Sequence, residues 1–300
     1  MLPMLASDWC PNSITYPKLV QPKIDGVRGL NLDGRLTGRS LREHNNTYVS
    51  TKFSNERYLG FDGELVYGIP TDEDLCRKTS ALLNSKSVYG DVVWYVFDLV
   101  TQDTLHLPYS ERYLELAQRV AQLNVDVPNS DVVLVPQETV TNSTELLTCV
   151  GRFTQQGYEG TIVRDPCSLY KSGRATTLEG SLLRIKDFVE EDAIVTGIIE
   201  QLTNTNTKET NLLGRAKRSS SKSGLLPTGL VGSLVCVDVK TGKTITVNAG
   251  KMTRSQKKYY FDHQDEIIGS TVKYKYFAKG SVDKPRLPTF QSIRPTSDLL

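Results

Sequence analysis

No apolar run in the 300-residue sequence approaches the roughly 18 residues that a helix needs to cross a bilayer, so no membrane partner is expected. The opening Met1-Leu2-Pro3-Met4-Leu5-Ala6 has no basic segment followed by a long apolar stretch, and no secretory leader is expected. The cysteines, Cys10, Cys76, Cys149, Cys167 and Cys236, are odd in number and form no C-x-x-C pair. That argues against a disulfide framework or a cysteine zinc site and for reduced thiols in the cytoplasm. His44, His106 and His263 are scattered and give no metal-ligand spacing. No internal repeat is present, and the net charge is only +2.

That near-neutrality hides a partition. Residues 191–300 carry 17 Lys+Arg against 10 Asp+Glu, a net of +7, and the preceding part carries −5. A basic C-terminal third beside an acidic N-terminal part fits a polyanion partner for the former. At ~150 residues per domain the length accommodates two domains.

The most informative stretch is Gln21-Pro22-Lys23-Ile24-Asp25-Gly26-Val27-Arg28-Gly29. Asp-Gly favours a tight turn, since glycine tolerates positive φ and Asp bonds its own backbone. Such a turn would put Lys23 and Arg28 on one side of a pocket. A lysine beside other cations loses its proton more readily and becomes a nucleophile. A plain hairpin with two solvated cations explains the stretch equally well when it is taken alone.

Taken in order, the chain reads as an α+β protein. Residues 18–36 form two strands about the Asp25-Gly26 turn, and Thr37-Gly38-Arg39-Ser40 follows. Asp62-Gly63 repeats the turn device and leads into a strand carrying Glu64. Residues 92–100, apolar nearly throughout, read as a strand buried on both faces. Ser110 is placed as the N-cap of a helix with Leu114, Ala117 and Ala121 at helical spacing. Asn142 or Ser143 caps a second helix, which carries Leu146, Leu147 and Val150 and ends near Gly157. Glu159-Gly160 opens a strand to Arg164, and a polar loop with Tyr170, Lys171 and Arg174 follows. Arg184 and Lys186 then share one strand face, because the side-chain period is two. Strands at 193–200, 230–239, 243–249 and 270–277, with no long helix, suggest a small barrel. Residues 203–229, rich in Thr, Asn and Ser, read as a long flexible basic loop.

The ordered set Lys23–Arg28, Arg39-Ser40, Asp62-Gly63-Glu64, Tyr95–Leu99, Glu159-Gly160 and Leu183–Lys186 resembles the successive motifs of ATP-dependent DNA ligases. These belong to the covalent nucleotidyltransferase superfamily with RNA ligases and mRNA capping enzymes. The resemblance runs over essentially the full chain and is greatest to the small ligases of bacteriophages. It implies a nucleotidyltransferase (adenylation) domain of antiparallel sheets with flanking helices at 1–190. An all-β OB-fold barrel that binds DNA, with the flexible basic loop 203–229, would occupy 191–300.

The resemblance also implies roles. Lys23 would take AMP from ATP as a lysyl-AMP phosphoramidate, AMP would pass to the 5′-phosphate of nicked double-stranded DNA, and the 3′-hydroxyl would displace it. Lys23 and Lys186 are the catalytic candidates. Gln21, Lys23, Arg28, Arg39, Glu64, Phe97, Arg184 and Lys186 would bind the nucleotide, with Gln21 and the Phe97 ring on adenine and Tyr95 a competing stacking ring. Glu64 and Glu159 would hold Mg2+ or another divalent metal. Arg215, Lys217, Arg218, Lys222, Lys273, Lys275 and Arg286 would contact DNA. Lys284, Arg286 and Arg294 fall in the family's last motif. The family usually has lysine at both basic positions of the last strand, and here the first is Arg184. Arginine keeps the charge and gains bidentate reach but does not shuttle protons. A monomer in the cytoplasm, the host's if the source is a phage, completes the expectation. The alternatives are an RNA ligase or capping-type nucleotidyltransferase, and a non-catalytic OB-fold DNA-binding protein.

Overall fold

A computed structural model describes residues 1–11, 14–281 and 283–295. The chain divides into two units, Met1–Lys186 and a second beginning at Asp187.

In the first unit, strands β1 (Ser7–Asp8), β2 (Lys18–Lys23), β3 (Val27–Leu32), β4 (Arg35–Thr37), β5 (Phe61–Tyr67), β6 (Val92–Leu99), β7 (Val132–Leu134), β8 (Glu138–Val140), β9 (Gly160–Arg164) and β10 (Leu182–Lys186) are interspersed, among the described residues, with α-helices. These are α1 (Thr47–Phe53), α2 (Leu75–Asn84), α3 (Tyr109–Asp126) and α4 (Ser143–Gln155). One sheet runs β1-β10-β9-β2-β8 and the other β4-β3-β5-β6-β7. All pairings are antiparallel except β1 with β10 and β6 with β7.

Each sheet buries its outer face under helices. Phe61, Leu65, Trp94 and Val96 of the second sheet pack against Phe53 of α1, Leu82 and Leu83 of α2, and Leu116, Val120 and Leu123 of α3. Val20, Val163, Leu183 and Ile185 of the first pack against Leu146, Cys149 and Phe153 of α4. Strand β6 alternates buried and half-buried positions instead of burying both faces. Its Trp94 face enters the helical core, and its Tyr95–Phe97 face turns to the other side, where an apolar run need not be fully covered.

Helix α3 differs from the sequence pattern. It starts at Tyr109 with Pro108 as N-cap, and its buried stripe is Tyr109, Arg112, Leu116, Val120 and Leu123. Leu114 is exposed. The arginine breaks an apolar count, yet it belongs to the core because Asp98 receives it there. Helix α4 is capped by Asn142, whose side chain accepts from the Glu145 amide at 2.9 Å, and it buries Leu146, Cys149 and Phe153.

The second unit contains β11 (Val189–Asn204), β12 (Lys208–Thr210), β13 (Ala216–Arg218), β14 (Leu225–Asp238), β15 (Thr244–Asn248), α5 (Arg254–Asp262), β16 (Thr271–Phe277) and β17 (Arg286–Ile293). Strands β11-β14-β15-β17-β16 form a closed barrel, in which β15 meets β17 through the single parallel pair Asn248–Thr289. Its core is Val195, Val231, Leu234, Val247, Val272, Tyr274 and Phe290. Helix α5 has no counterpart among the expected elements; its signal is the capping box that Thr253 forms with Gln256.

Residues 203–229 are not the expected flexible loop. Strand β11 runs through Asn204, β14 starts at Leu225, and between them β12 and β13 pair as a hairpin. The polar side chains that suggested a loop hold the backbone instead. Asn204 and Asn206 donate to Ser219 O at 2.7 and 3.0 Å, and Asn211 Oδ1 accepts from the amides of Leu213 and Arg215 at 3.0 and 2.9 Å.

Candidate active site

Lys23 ends β2 opposite Gly160 of β9, and Gly160 lies opposite Lys186, the last residue of β10. Three adjacent strands therefore place Lys23 and Lys186 on either side of one glycine. Gly160 sits where a Cβ would meet Ile185 O at 2.1 Å, so no other residue lets β9 and β10 run this close. Glu159, one residue earlier, joins the two ammonium groups: Lys23 Nζ donates to its Oε2 and Lys186 Nζ to its Oε1. The carboxylate is nearly covered, with 6% of its side chain exposed, against 21% for each lysine. Burial alone would raise the Glu159 pKa, but the two lysines outweigh it and hold the carboxyl below its ordinary value. Lys186 is shifted down by burial and by Lys23, against the opposing pull of Glu159.

The facing wall comes from the second sheet. Arg28 of β3 stands opposite Glu64 of β5. Gly26 does not act as a positive-φ turn residue. It packs where a Cβ would lie 2.4 Å from Leu65 O and 2.8 Å from Glu64 Cγ, so it brings the Lys23 segment against β5. Asp62-Gly63 is likewise not a turn but the interior of β5 beside a register shift, with Gly63 against Tyr95 O. Asp62 is buried and takes the Arg28 guanidinium through Nε and Nη2, the latter at 2.5 Å. Burial would lower the Arg28 pKa, but Asp62 reverses that and raises it. Glu64 is pushed up to about 7, chiefly by burial, which Lys23 and Arg28 only partly offset.

Between these walls lies a cavity of about 370 Å³. Of the nucleotide-binding candidates, Gln21, Lys23, Arg28, Arg39, Glu64, Phe97 and Arg184 all line it. Lys186 joins them through Glu159. Phe97, not Tyr95, is the ring on the cavity wall, with the Arg28 and Arg164 guanidinium carbons 4.9 and 5.3 Å from its centroid. Gln21 is buried, and its Nε2 donates to Val135 O at 3.4 Å. Arg184 Nε donates to Asp8 Oδ1 at 2.7 Å.

Several wall residues had no place in the sequence-based set. Leu5, Ala6, Val135, Arg164 and Arg174 line the cavity. Arg164 was visible as a cation ending an apolar strand, and Asp98 as a carboxylate inside one. A buried charge calls for a partner, and these two are partners: Arg164 Nη1 donates to Asp98 Oδ2 at 2.8 Å. Arg112 completes the group, with Nε 2.8 Å from Asp98 Oδ1. Arg164 Nε is buried without a hydrogen-bond partner among the described residues.

No group of three or more His, Cys, Asp or Glu among the described residues is arranged to hold a metal ion. Glu64 and Glu159 fit Mg2+ only in the manner of one or two carboxylates completed by phosphate oxygens and water.

The barrel candidates are divided. Arg215, Lys217, Arg218 and Lys222 are exposed on or beside the β12–β13 hairpin. Lys273 and Lys275 share the outer face of β16, but Lys273 pairs with Glu190 and Lys275 lies 4.6 Å from the Phe188 ring centroid. Arg286 Nη1 donates to Lys279 O at 3.3 Å, Arg294 Nε donates to Asp192 Oδ1 at 2.9 Å, and Lys284 is exposed. No helix among the described residues is long and apolar enough to cross a membrane.

Comparison with known proteins bears on both units. The family model described as ATP dependent DNA ligase domain matches residues 3–186, and that described as DNA ligase OB-like domain matches residues 227–294. A DNA ligase of African swine fever virus is 27% identical over 115 residues, 37% of this chain. The match spans about a quarter of that relative's length, 26%. A crystal structure of Chlorella virus DNA ligase-adenylate is 25% identical, with 98% of each chain covered and a TM-score of 0.55. A Lig E DNA ligase, studied for DNA binding with a minimal scaffold, shares the fold at 19% identity and a TM-score of 0.70, covering 98% of this chain and 99% of its own. With the larger family model spanning more than half of its length, the chain belongs to the ATP-dependent DNA ligase family.

Proposed function

We propose that the chain seals nicks in double-stranded DNA, working as a monomer with ATP and a divalent metal. The observation that carries this reading is the Lys23–Glu159–Lys186 group at the end of a cavity walled by Phe97, Gln21 and arginines. Lys23 Nζ attacks the α-phosphorus; the N–P bond forms, the P–O bond to pyrophosphate breaks, and the lysine proton has Glu159 as its adjacent acceptor. Lys186 and Arg184 neutralise the α-phosphate, and an in-line displacement of this kind needs positioning and charge more than covalent help. Glu64 and Glu159 would hold a Mg2+ that supplies charge neutralisation at the phosphates. Phe97 offers the adenine a face and Gln21 an edge. In the Chlorella virus relative the solved species is the ligase-adenylate, the state this step would leave here. AMP then passes to the 5′-phosphate at a nick, and the 3′-hydroxyl displaces it as the phosphodiester forms. The exposed cations of the barrel unit supply phosphate contacts with DNA.

The test is covalent labelling. Protein incubated with Mg2+ and α-labelled ATP acquires label that survives a denaturing gel, GTP gives none, and Lys23→Ala abolishes it. Absence of label from both nucleotides sinks the reading, and label from GTP alone moves the chain to the capping-type reaction. Sealing of nicked DNA but not nicked RNA then fixes the polymer.

A further inference from the structure

Three arginines of the cavity wall are held by one short stretch near the N-terminus, each by a different residue of it. Arg28 Nη2 donates to Met4 O at 3.4 Å, Arg174 Nη1 donates to Ala6 O, and Arg184 Nε donates to Asp8 Oδ1 at 2.7 Å. The stretch is itself fixed. Met4 is 1% exposed, and its amide donates to Tyr170 Oη at 2.8 Å. Leu5 exchanges main-chain bonds with Gly173 and Ala175 at 2.8 and 2.9 Å. Ser7 and Asp8 pair with Leu183 and Arg184 of β10, and the Trp9 amide donates to Arg184 O at 3.0 Å. Two of the three acceptors are carbonyls that no substitution removes. The third is a side chain.

We propose that Asp8 is a positioning residue for Arg184: by accepting from Nε it fixes the plane of the guanidinium, so that the terminal nitrogens of the fork are presented to the α-phosphate of the nucleotide attacked by Lys23. This rests on the ligase reading above. A guanidinium is planar and binds phosphate through a pair of parallel donors, so its orientation matters in a way that an ammonium's does not. A bond at Nε sets that orientation while using only one of five donors. Arg184 lines the cavity on the strand face that also carries Lys186, two residues on, so the two cations stand on the same side of the sheet. The Asp8 carboxyl is held below the usual carboxylate range by that hydrogen bond, so it accepts as a carboxylate at neutral pH. The Asp8 side chain is 80% exposed, and exposed pairs add little to stability. A purely structural role is therefore a poor account of the contact, whereas a catalytic group held slightly out of place loses rate.

The experiment compares Asp8→Ala and Asp8→Asn with the native chain, each also combined with Arg184→Ala. Single-turnover labelling of Lys23 by α-labelled ATP is followed across ATP concentration. The thermal midpoint and the Arg184 Nε–H resonance are read in nucleotide-free protein. Asp8→Ala is expected to slow labelling at saturating ATP roughly fivefold, to speed exchange of the Nε–H proton, and to leave the midpoint unchanged. Asp8→Asn, which keeps an acceptor, recovers part of the rate. In the Arg184→Ala background Asp8→Ala adds nothing. A native labelling rate in Asp8→Ala, a faster one, or an equal loss in both backgrounds overturns the inference while the ligase reading stands. Failure of the native chain to label at all removes the ligase reading itself.

Discussion

In the first unit Asp98, Arg112 and Arg164 are all buried, and Asp98 pairs with both arginines. In the second, Arg215, Lys217, Arg218 and Lys222 are cations on the exposed surface of a hairpin region, with Lys217 opposite Glu209 and Arg218 opposite Lys208. Both regions are rich in charge, but the physics differs. Out of water, a charge is tolerable only with a partner at hydrogen-bond distance, so each buried group has a fixed place and becomes part of the geometry of a site. In water a cation costs little to leave unpaired, and its use is the long-range attraction of a polyanion, which salt screens. The first kind of charge suits the fixed walls of a cavity; the second suits a surface that attracts a polyanion without reading its sequence.

That contrast can be tested at four strengths. The largest effect should come from Asp98→Asn, which leaves Arg112 and Arg164 buried without a counter-charge. A loss of about 3–5 kcal/mol in urea unfolding is expected. An unfolding free energy within experimental error of the native value would show that the Asp98 charge is dispensable.

Next is Gly160→Ala, whose Cβ would meet Ile185 O at 2.1 Å and must push β9 from β10 beside the Glu159 bridge. A displacement on the order of 1 Å at a reacting group costs roughly a hundredfold, so Lys23 labelling should fall by that order. Labelling at the native rate would show that the three-strand register does not position Lys23 and Lys186.

On the barrel side, replacing Arg215, Lys217 and Arg218 together by alanine should flatten the dependence of log K for nicked DNA on log salt. The expected change in slope is about 0.9 for each phosphate no longer neutralised, with labelling of Lys23 unchanged. An unaltered salt slope would remove the hairpin from the DNA surface.

A fourth test concerns Glu64, whose carboxyl is pushed by burial from 4.5 up to about 7. A raised carboxyl pKa means that the folded chain holds the proton more tightly than the unfolded one. Stability of the nucleotide-free protein should therefore decline as pH rises from about 4.5 to about 7, then level off. Glu64→Gln should lack that decline. Urea midpoints at pH 5, 6, 7 and 8 decide it: parallel curves for the two proteins would mean that burial does not govern this carboxyl.

The order of motifs was legible because the proposed chemistry calls for particular side chains: a nucleophilic amine at Lys23, carboxylates at Glu64 and Glu159, and cations on one strand face at Arg184 and Lys186. Strand periodicity carried that last pair, since a period of two is a property of the backbone alone. The glycines were legible as glycines but not for the right reason. Gly26 and Gly63 suggested turns by local preference, and the fold uses them for close approach: a Cβ there would lie 2.4 Å from Leu65 O and 2.3 Å from Tyr95 O. Only the neighbour across the sheet can impose that demand. The hairpin within 203–229 was hidden because Asn and Thr side chains serve backbone groups in an ordered hairpin as readily as they serve water.

By itself, then, the sequence determined the residue types of the site, their order, and which of them share a strand face. Those follow from covalent chemistry and from the local geometry of an extended chain. Tertiary structure alone decided the partners. It put Glu159 between Lys23 and Lys186, gave Arg28 to Asp62 and Arg184 to Asp8, buried Arg112 against Asp98, and chose Phe97 over Tyr95 for the cavity wall. The partners stand far apart along the chain: Arg112 is 14 residues from Asp98, and Arg184 is 176 residues from Asp8. No local rule can choose among so many possible partners; strand pairing and the packing of helices on the sheets do.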